Sequence, residues 1–64
     1  MKITEKQINM IAYQMMQNGI KGDAHSFTRL RDNLESGTAS DVIESFMQGR
    51  PEDAVRQLEH LNAI

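Results

Sequence analysis

The apolar residues of this chain recur at intervals of three and four, which is the spacing of one face of an α-helix. Gly19, Gly37 and Gly49 divide the chain into four such segments, and no segment shows the period-two alternation of a half-buried strand. The pattern predicts an all-α protein with a single helical domain, residues 1–64. We expect a compact bundle of four short helices at about 5–18, 24–36, 39–48 and 51–61.

The first helix has the clearest boundary signals. Thr4 and Gln7 have the spacing of a capping box, and Gly19 supplies the left-handed residue that ends many helices. On a helical projection, five apolar residues share an arc of about 140°. They predict the face that packs in the core: Ile8, Ile11, Ala12, Met15 and Met16.

Each of the other three segments also has a start signal and one apolar face. We expect Asp23 to cap the second helix, Thr38 and Asp41 to form a capping pair in the third, and Pro51 to open the fourth. The faces predicted to be buried are Ala24, Phe27, Leu30 and Leu34; Val42, Ile43, Phe46 and Met47; and Ala54, Val55, Leu58 and Leu61.

The first helix lacks charge after its first two residues, Glu5 and Lys6. The residues from Gln7 to Ile20 include no charged side chain, although 25% of the chain is charged. Exposed helix faces normally carry Lys and Glu, whereas protein interfaces are depleted in both and enriched in Tyr and Met. The sequence therefore predicts a contact surface, used for a homodimer or for a different protein, at Met10, Tyr13, Gln14 and Gln17. The alternative is a central helix that the other three cover on several sides.

Charge is divided unevenly between the two halves of the chain. Residues 1–31 have a formal charge of +3 and residues 32–64 have −5. The acids Glu44, Glu52, Asp53 and Glu59 are interpreted either as a solvated face or as a surface for a basic protein partner. Arg31 falls near Phe27 on the second helix. We expect it either to pair with an acid of the third or fourth helix or to anchor a protein partner.

A nucleic-acid partner is the alternative function. The loop Gly19–Gly22 contains Lys21, and Arg29 and Arg31 follow on the next helix, so phosphate contacts are conceivable there. The third helix, in contrast, carries two acids and no base, which disfavours a helix-turn-helix that enters the major groove. We expect no nucleic-acid partner and retain a small nucleic-acid-binding regulator as the second hypothesis.

The composition offers little chemistry. The chain has no cysteine, and its two histidines, His25 and His60, lie far apart in sequence, so we expect no metal, cofactor or catalytic residue. The longest strictly apolar runs have only three residues, so we expect no membrane segment. The sequence favours a non-enzymatic, cytoplasmic protein-interaction module that acts as an adaptor or inhibitor of a larger protein. Its size is typical of inhibitors that phages and mobile elements encode.

Overall fold

A computed structural model describes residues 1–20 and 25–64 of the chain. Within these residues, four helices follow one another: α1 (Glu5–Gln17), α2 (Ser26–Asn33), α3 (Ser36–Met47) and α4 (Pro51–His60). The described part of the chain has no strand beyond an isolated antiparallel bridge between Lys2 and Glu35. The predicted all-α bundle of four short helices is therefore confirmed.

Both ends of α1 have the predicted caps. The Gln7 N–H donates to Thr4 Oγ1 at 3.1 Å, and the Thr4 N–H donates to Gln7 Oε1 at 3.0 Å, which completes the capping box. At the other end, Gly19 has a φ of +70°. The Gly19 and Ile20 N–H groups donate to the carbonyls of Met16 and Met15 at 3.2 and 2.9 Å. This Schellman motif satisfies two carbonyls that the helix itself leaves unpaired.

The same C-terminal motif ends α3 and α4. Gly49 has a φ of +76°, and the Arg50 N–H donates to the Ser45 carbonyl at 2.9 Å. After α4 the left-handed position is held by Asn62, with a φ of 57°. The Ala63 N–H then donates to the Leu58 carbonyl at 2.8 Å. Because Ala63 is completely buried, the motif also folds the end of the chain onto the core.

All four helices contribute to one core. Helix α1 packs against α2 and α3, and α3 packs in turn against α4. The buried apolar residues are Ile3, Ile8, Ile11, Met15, Leu30, Leu34, Ala39, Val42, Ile43, Phe46, Ala54, Leu58 and Ala63. Their removal from water is the main source of stability for the bundle.

The predicted boundary between the second and third helices is wrong. Helix α2 ends at Asn33 and α3 begins at Ser36, so Gly37 lies inside a helix and Thr38 and Asp41 do not cap it. The reason is a long-range contact. Glu35 is extended where it bridges to Lys2, and the Ser36 N–H donates to the Met1 carbonyl at 2.8 Å. Asp23 and Ala24, predicted at the start of the second helix, lie outside the described residues.

Three residues predicted to be in the core are largely exposed. The exposed fraction is 69% for Met16, 52% for Phe27 and 69% for Met47. On α1 the buried residues Ile8, Ile11 and Met15 occupy an arc of only about 60°, which leaves Met16 beyond its edge. Phe27 and Met47 each lie within one turn of a helix end, where neighbouring helices no longer cover them.

Candidate interaction surface

Five exposed apolar side chains follow one another across three helices, and we call them the apolar strip: Met47, Met10, Tyr13, Met16 and Phe27. Its centre is Tyr13 on α1, which is 55% exposed, whereas Met10 is 37% exposed. Because successive strip residues on α1 are three apart, each is displaced by about 60° around the helix and about 4.5 Å along it. The strip therefore crosses α1 diagonally, with Met47 of α3 at one end and Phe27 of α2 at the other.

The end of the strip at Phe27 is an open groove between α1 and α2. Its volume is about 650 Å³, and Tyr13, Met16 and Phe27 line it together with the partly buried Ile20. The buried side chains of Met15 and Leu30 also line it. Every described residue that lines this groove is uncharged. Its surface is therefore suited to an apolar occupant.

The end of the strip at Met47 is different because it carries charge. A groove of about 630 Å³ is lined by Met10, Tyr13 and Met47, and also by Glu5 and Lys6. A neighbouring groove of about 480 Å³ shares Met10, Met47 and Lys6 and adds Glu44. Among the described residues, the charged groups that line the grooves of the strip are therefore confined to this end.

The structure brings together part of the predicted contact surface. Met10 and Tyr13 belong to the strip, and Gln14 lines the groove beside them. Gln17 is exposed on α1 but lines none of these grooves. The sequence does not indicate that Met16, Phe27 and Met47 belong to this surface, because their helical spacing predicts core positions.

Arg31 does not have the surroundings that the sequence predicts. Its side chain is exposed, and its Nε lies 3.4 Å from Asp32 Oδ1, the carboxylate of the next residue. The predicted pair with an acid of the third or fourth helix is therefore wrong. Arg31 lines none of the grooves of the strip. An ion pair this exposed contributes little to stability.

The four predicted acids do not lie together. Glu44 borders the strip at its Met47 end, whereas Glu52 and Glu59 line a groove of about 440 Å³ beside α4. Ile20 lines both this groove and the groove at the Phe27 end of the strip. Asp53 is held by Arg56, whose Nη1 lies 3.4 Å from Asp53 Oδ1. The acidic surface is thus divided between the charged end of the strip and α4.

The basic residues of the nucleic-acid hypothesis are also separated. Lys21 and Gly22 lie outside the described residues. Arg29 and Arg31 are both exposed on α2, but residues two apart on a helix point about 160° away from each other. The two arginines therefore do not form one phosphate-binding patch on this helix.

Three further observations bear on the function of this surface. The described residues contain no group of three His, Asp or Glu side chains arranged to hold a metal ion. No helix in the described ranges has both the length and the apolar character needed to cross a bilayer. Comparison with protein-family models, curated proteins and solved structures gives no significant match. A functional proposal therefore depends on the geometry of the chain itself.

Proposed function

We propose that this chain is a small non-enzymatic protein-interaction module that self-associates, as a homodimer, through the apolar strip on α1. The observation that carries the proposal is the continuous exposure of Met10, Tyr13 and Met16 with Phe27 and Met47 beside them. Tyr, Phe and Met are the side chains that interface cores favour. Methionine is also flexible enough to adapt to an opposing surface.

The area of the strip supports an interface rather than scattered exposure. Its five side chains have areas of roughly 200 Å² each and are on average about half exposed, which gives ~500–600 Å² per copy. This is at the upper end of the largest apolar patch on a typical monomer. Pairing two strips would remove about twice that area from water, which clears the ~1,000 Å² expected of a specific interface.

The size of the chain gives self-association a physical benefit. A domain of about 60 residues buries only ~60% of the surface that its unfolded chain exposes, so its stability margin is small. The 64-residue chain has one core of 13 buried apolar residues among those described. A second copy on the strip adds apolar burial that the monomer cannot supply.

The wider role that we propose is that of an adaptor or inhibitor of a larger protein in the cytoplasm. The absence of cysteine is consistent with a reducing compartment. The groove on α4 that contains Glu52 and Glu59 together with Arg56 offers a second surface, with a net charge of −1. A basic surface is the partner that these carboxylates favour.

The test is the native mass of Tyr13→Glu, measured by light scattering over a hundredfold range of concentration. We expect the wild type to have about twice the 7.3 kDa chain mass and the variant to have the single-chain mass. The physical reason is that a desolvated carboxylate without a partner opposes association. Because Tyr13 is more than half exposed, the helical circular dichroism of the variant should match that of the wild type.

Thr28→Glu is the control, because it adds the same negative charge as Tyr13→Glu at an exposed position on α2 that lines none of the grooves of the strip and points about 160° away from Leu30 around the helix. It should leave the dimer intact. A wild type that is monomeric at every concentration would contradict self-association. A wild-type dimer that persists in Tyr13→Glu would show that the interface lies elsewhere.

A further inference from the structure

We infer that the two copies pair reciprocally, so that the Met10–Met47 end of each strip packs against the Met16–Phe27 groove of the other copy. The inference rests on the proposed self-association and specifies its geometry. Three observations on the described residues support it: the symmetry of the strip, the distribution of charge along it, and the chemistry of the groove at its Phe27 end.

The strip is symmetric about Tyr13. Met10 and Met16 are three residues before and after Tyr13, so they lie at equal distances on either side of it. Each then has one further apolar side chain beyond it, Met47 at one end and Phe27 at the other. A two-fold axis in the interface, perpendicular to the strip at Tyr13, superposes two strips with their ends exchanged. Such an axis generates the isologous contact of a closed dimer.

The distribution of charge favours exchanged ends over like ends. Glu44 and Lys6 line grooves only at the Met47 end. If like ends met, two ends that each carry Glu5, Lys6 and Glu44, a net charge of −1, would face each other, and like charges brought together oppose association. With the ends exchanged, the two Glu44 side chains lie beyond opposite ends of the paired strips. The repulsion between them is then largely screened at physiological salt.

The groove at the Phe27 end is suited to apolar side chains. Its described lining is uncharged, and its volume of about 650 Å³ exceeds that of a single side chain. Met10 and Met47 of the other copy are apolar, flexible and adjacent, and methionine fills irregular gaps well. With like ends together, the groove would instead meet an identical groove.

Cysteine cross-linking tests this geometry directly, because the chain contains no cysteine of its own. Met10→Cys is mixed with ¹⁵N-labelled Met16→Cys, the mixture is equilibrated and oxidised, and the disulfide-linked species are separated by mass. Each variant is also oxidised alone. We expect the mixed disulfide to exceed the two self-linked species by at least about fivefold. The control is Met10→Cys mixed with ¹⁵N-labelled Thr28→Cys, which reports random collision because Thr28 is exposed on α2 and lines none of the grooves of the strip.

The possible outcomes distinguish reciprocal pairing from the proposed self-association on which it rests. A dimeric mass with a dominant mixed disulfide supports reciprocal pairing. A dimeric mass in which each variant links to itself shows that like ends meet and overturns the inference alone. A dimeric mass with no cross-link above the Thr28→Cys control places the interface off the strip and also overturns it. A monomeric wild type removes both the inference and the proposed self-association.

Discussion

Gln7 joins the start of α1 to the start of α3, and its replacement should cost the fold more than the loss of a helix cap. Its Oε1 accepts from the Thr4 N–H at 3.0 Å, as a capping box requires. Its Nε2 donates to the Ser36 carbonyl at 3.0 Å and to Ser40 Oγ at 3.2 Å. Gln7→Ala therefore removes one capping bond and two bonds between helices.

The expected cost follows from these three bonds. A net hydrogen bond contributes ~0.5–1.5 kcal/mol, and the bond to Ser36 belongs at the upper end because it is partly buried. Alanine returns a few tenths of a kcal/mol through its higher helix propensity. We expect Gln7→Ala to lower the free energy of unfolding by ~2 kcal/mol. For a domain of this size that corresponds to a melting temperature about 8–16 °C lower.

Thermal and urea unfolding, followed by circular dichroism, measure this cost, with Thr4→Ala as the matched control. Thr4→Ala removes the bond from the Gln7 N–H to Thr4 Oγ1 but leaves both bonds between α1 and α3. It should cost ~1 kcal/mol, the usual value of an N-cap side chain. If Gln7→Ala costs no more than Thr4→Ala, the bonds to Ser36 and Ser40 contribute nothing and the reasoning fails.

Two further predictions concern the end of α3 and the two faces of α1. Gly49→Ala should lower the free energy of unfolding by ~1 kcal/mol, because alanine tolerates a φ of +76° poorly. Gly49→Asn should lower the free energy of unfolding by less, because asparagine adopts a positive φ more readily, as Asn62 does after α4. If urea titrations show the same loss of stability for both variants, the backbone explanation is contradicted. Ile11→Ala should lower the free energy of unfolding by about 2–5 kcal/mol, because Ile11 is completely buried. Met16→Ala, on the same helix but 69% exposed, should cost less than ~1 kcal/mol in urea unfolding at concentrations where the chain is monomeric. Similar costs for the two variants would show that the strip belongs to the core.

The features that the sequence predicted well are those set by neighbouring residues. A capping box needs residues three apart, and a Schellman motif needs a left-handed residue next to the helix end. Thr4, Gln7, Gly19 and Gly49 satisfy these local conditions, and the structure has the expected caps. The start of α4 at Pro51 has the same origin, because proline at the first helical position loses no hydrogen bond.

The features that the sequence did not predict depend on distant residues. The start of α3 is set where Met1 and Lys2 contact Ser36 and Glu35, more than thirty residues away. Once Glu35 is held extended, the helix begins directly after it, and Gly37 is incorporated into the first turn. Helical propensity and capping residues favoured a later start, and the tertiary contact overrode them.

The spacing of apolar residues did not predict the exposure of the strip either. Apolar spacing identifies the side of a helix that faces other helices, but the width of the buried arc depends on how far those neighbours extend. Helix α2 has only eight residues, and its first turn contains Phe27. A helix this short covers Met16 incompletely, so both side chains stay exposed and line the same groove.

The absence of charge on α1 after its first two residues has two explanations, and the structure contradicts one of them. A central helix covered on several sides would need no charge because it would have no exposed face. Helix α1 is not such a helix, since Tyr13 and Met16 are more than half exposed while Ile11 is fully buried. Burial therefore accounts for the apolar residues on one side of α1 only. The uncharged residues on its other side include the strip, and the contact surface that we propose would account for them.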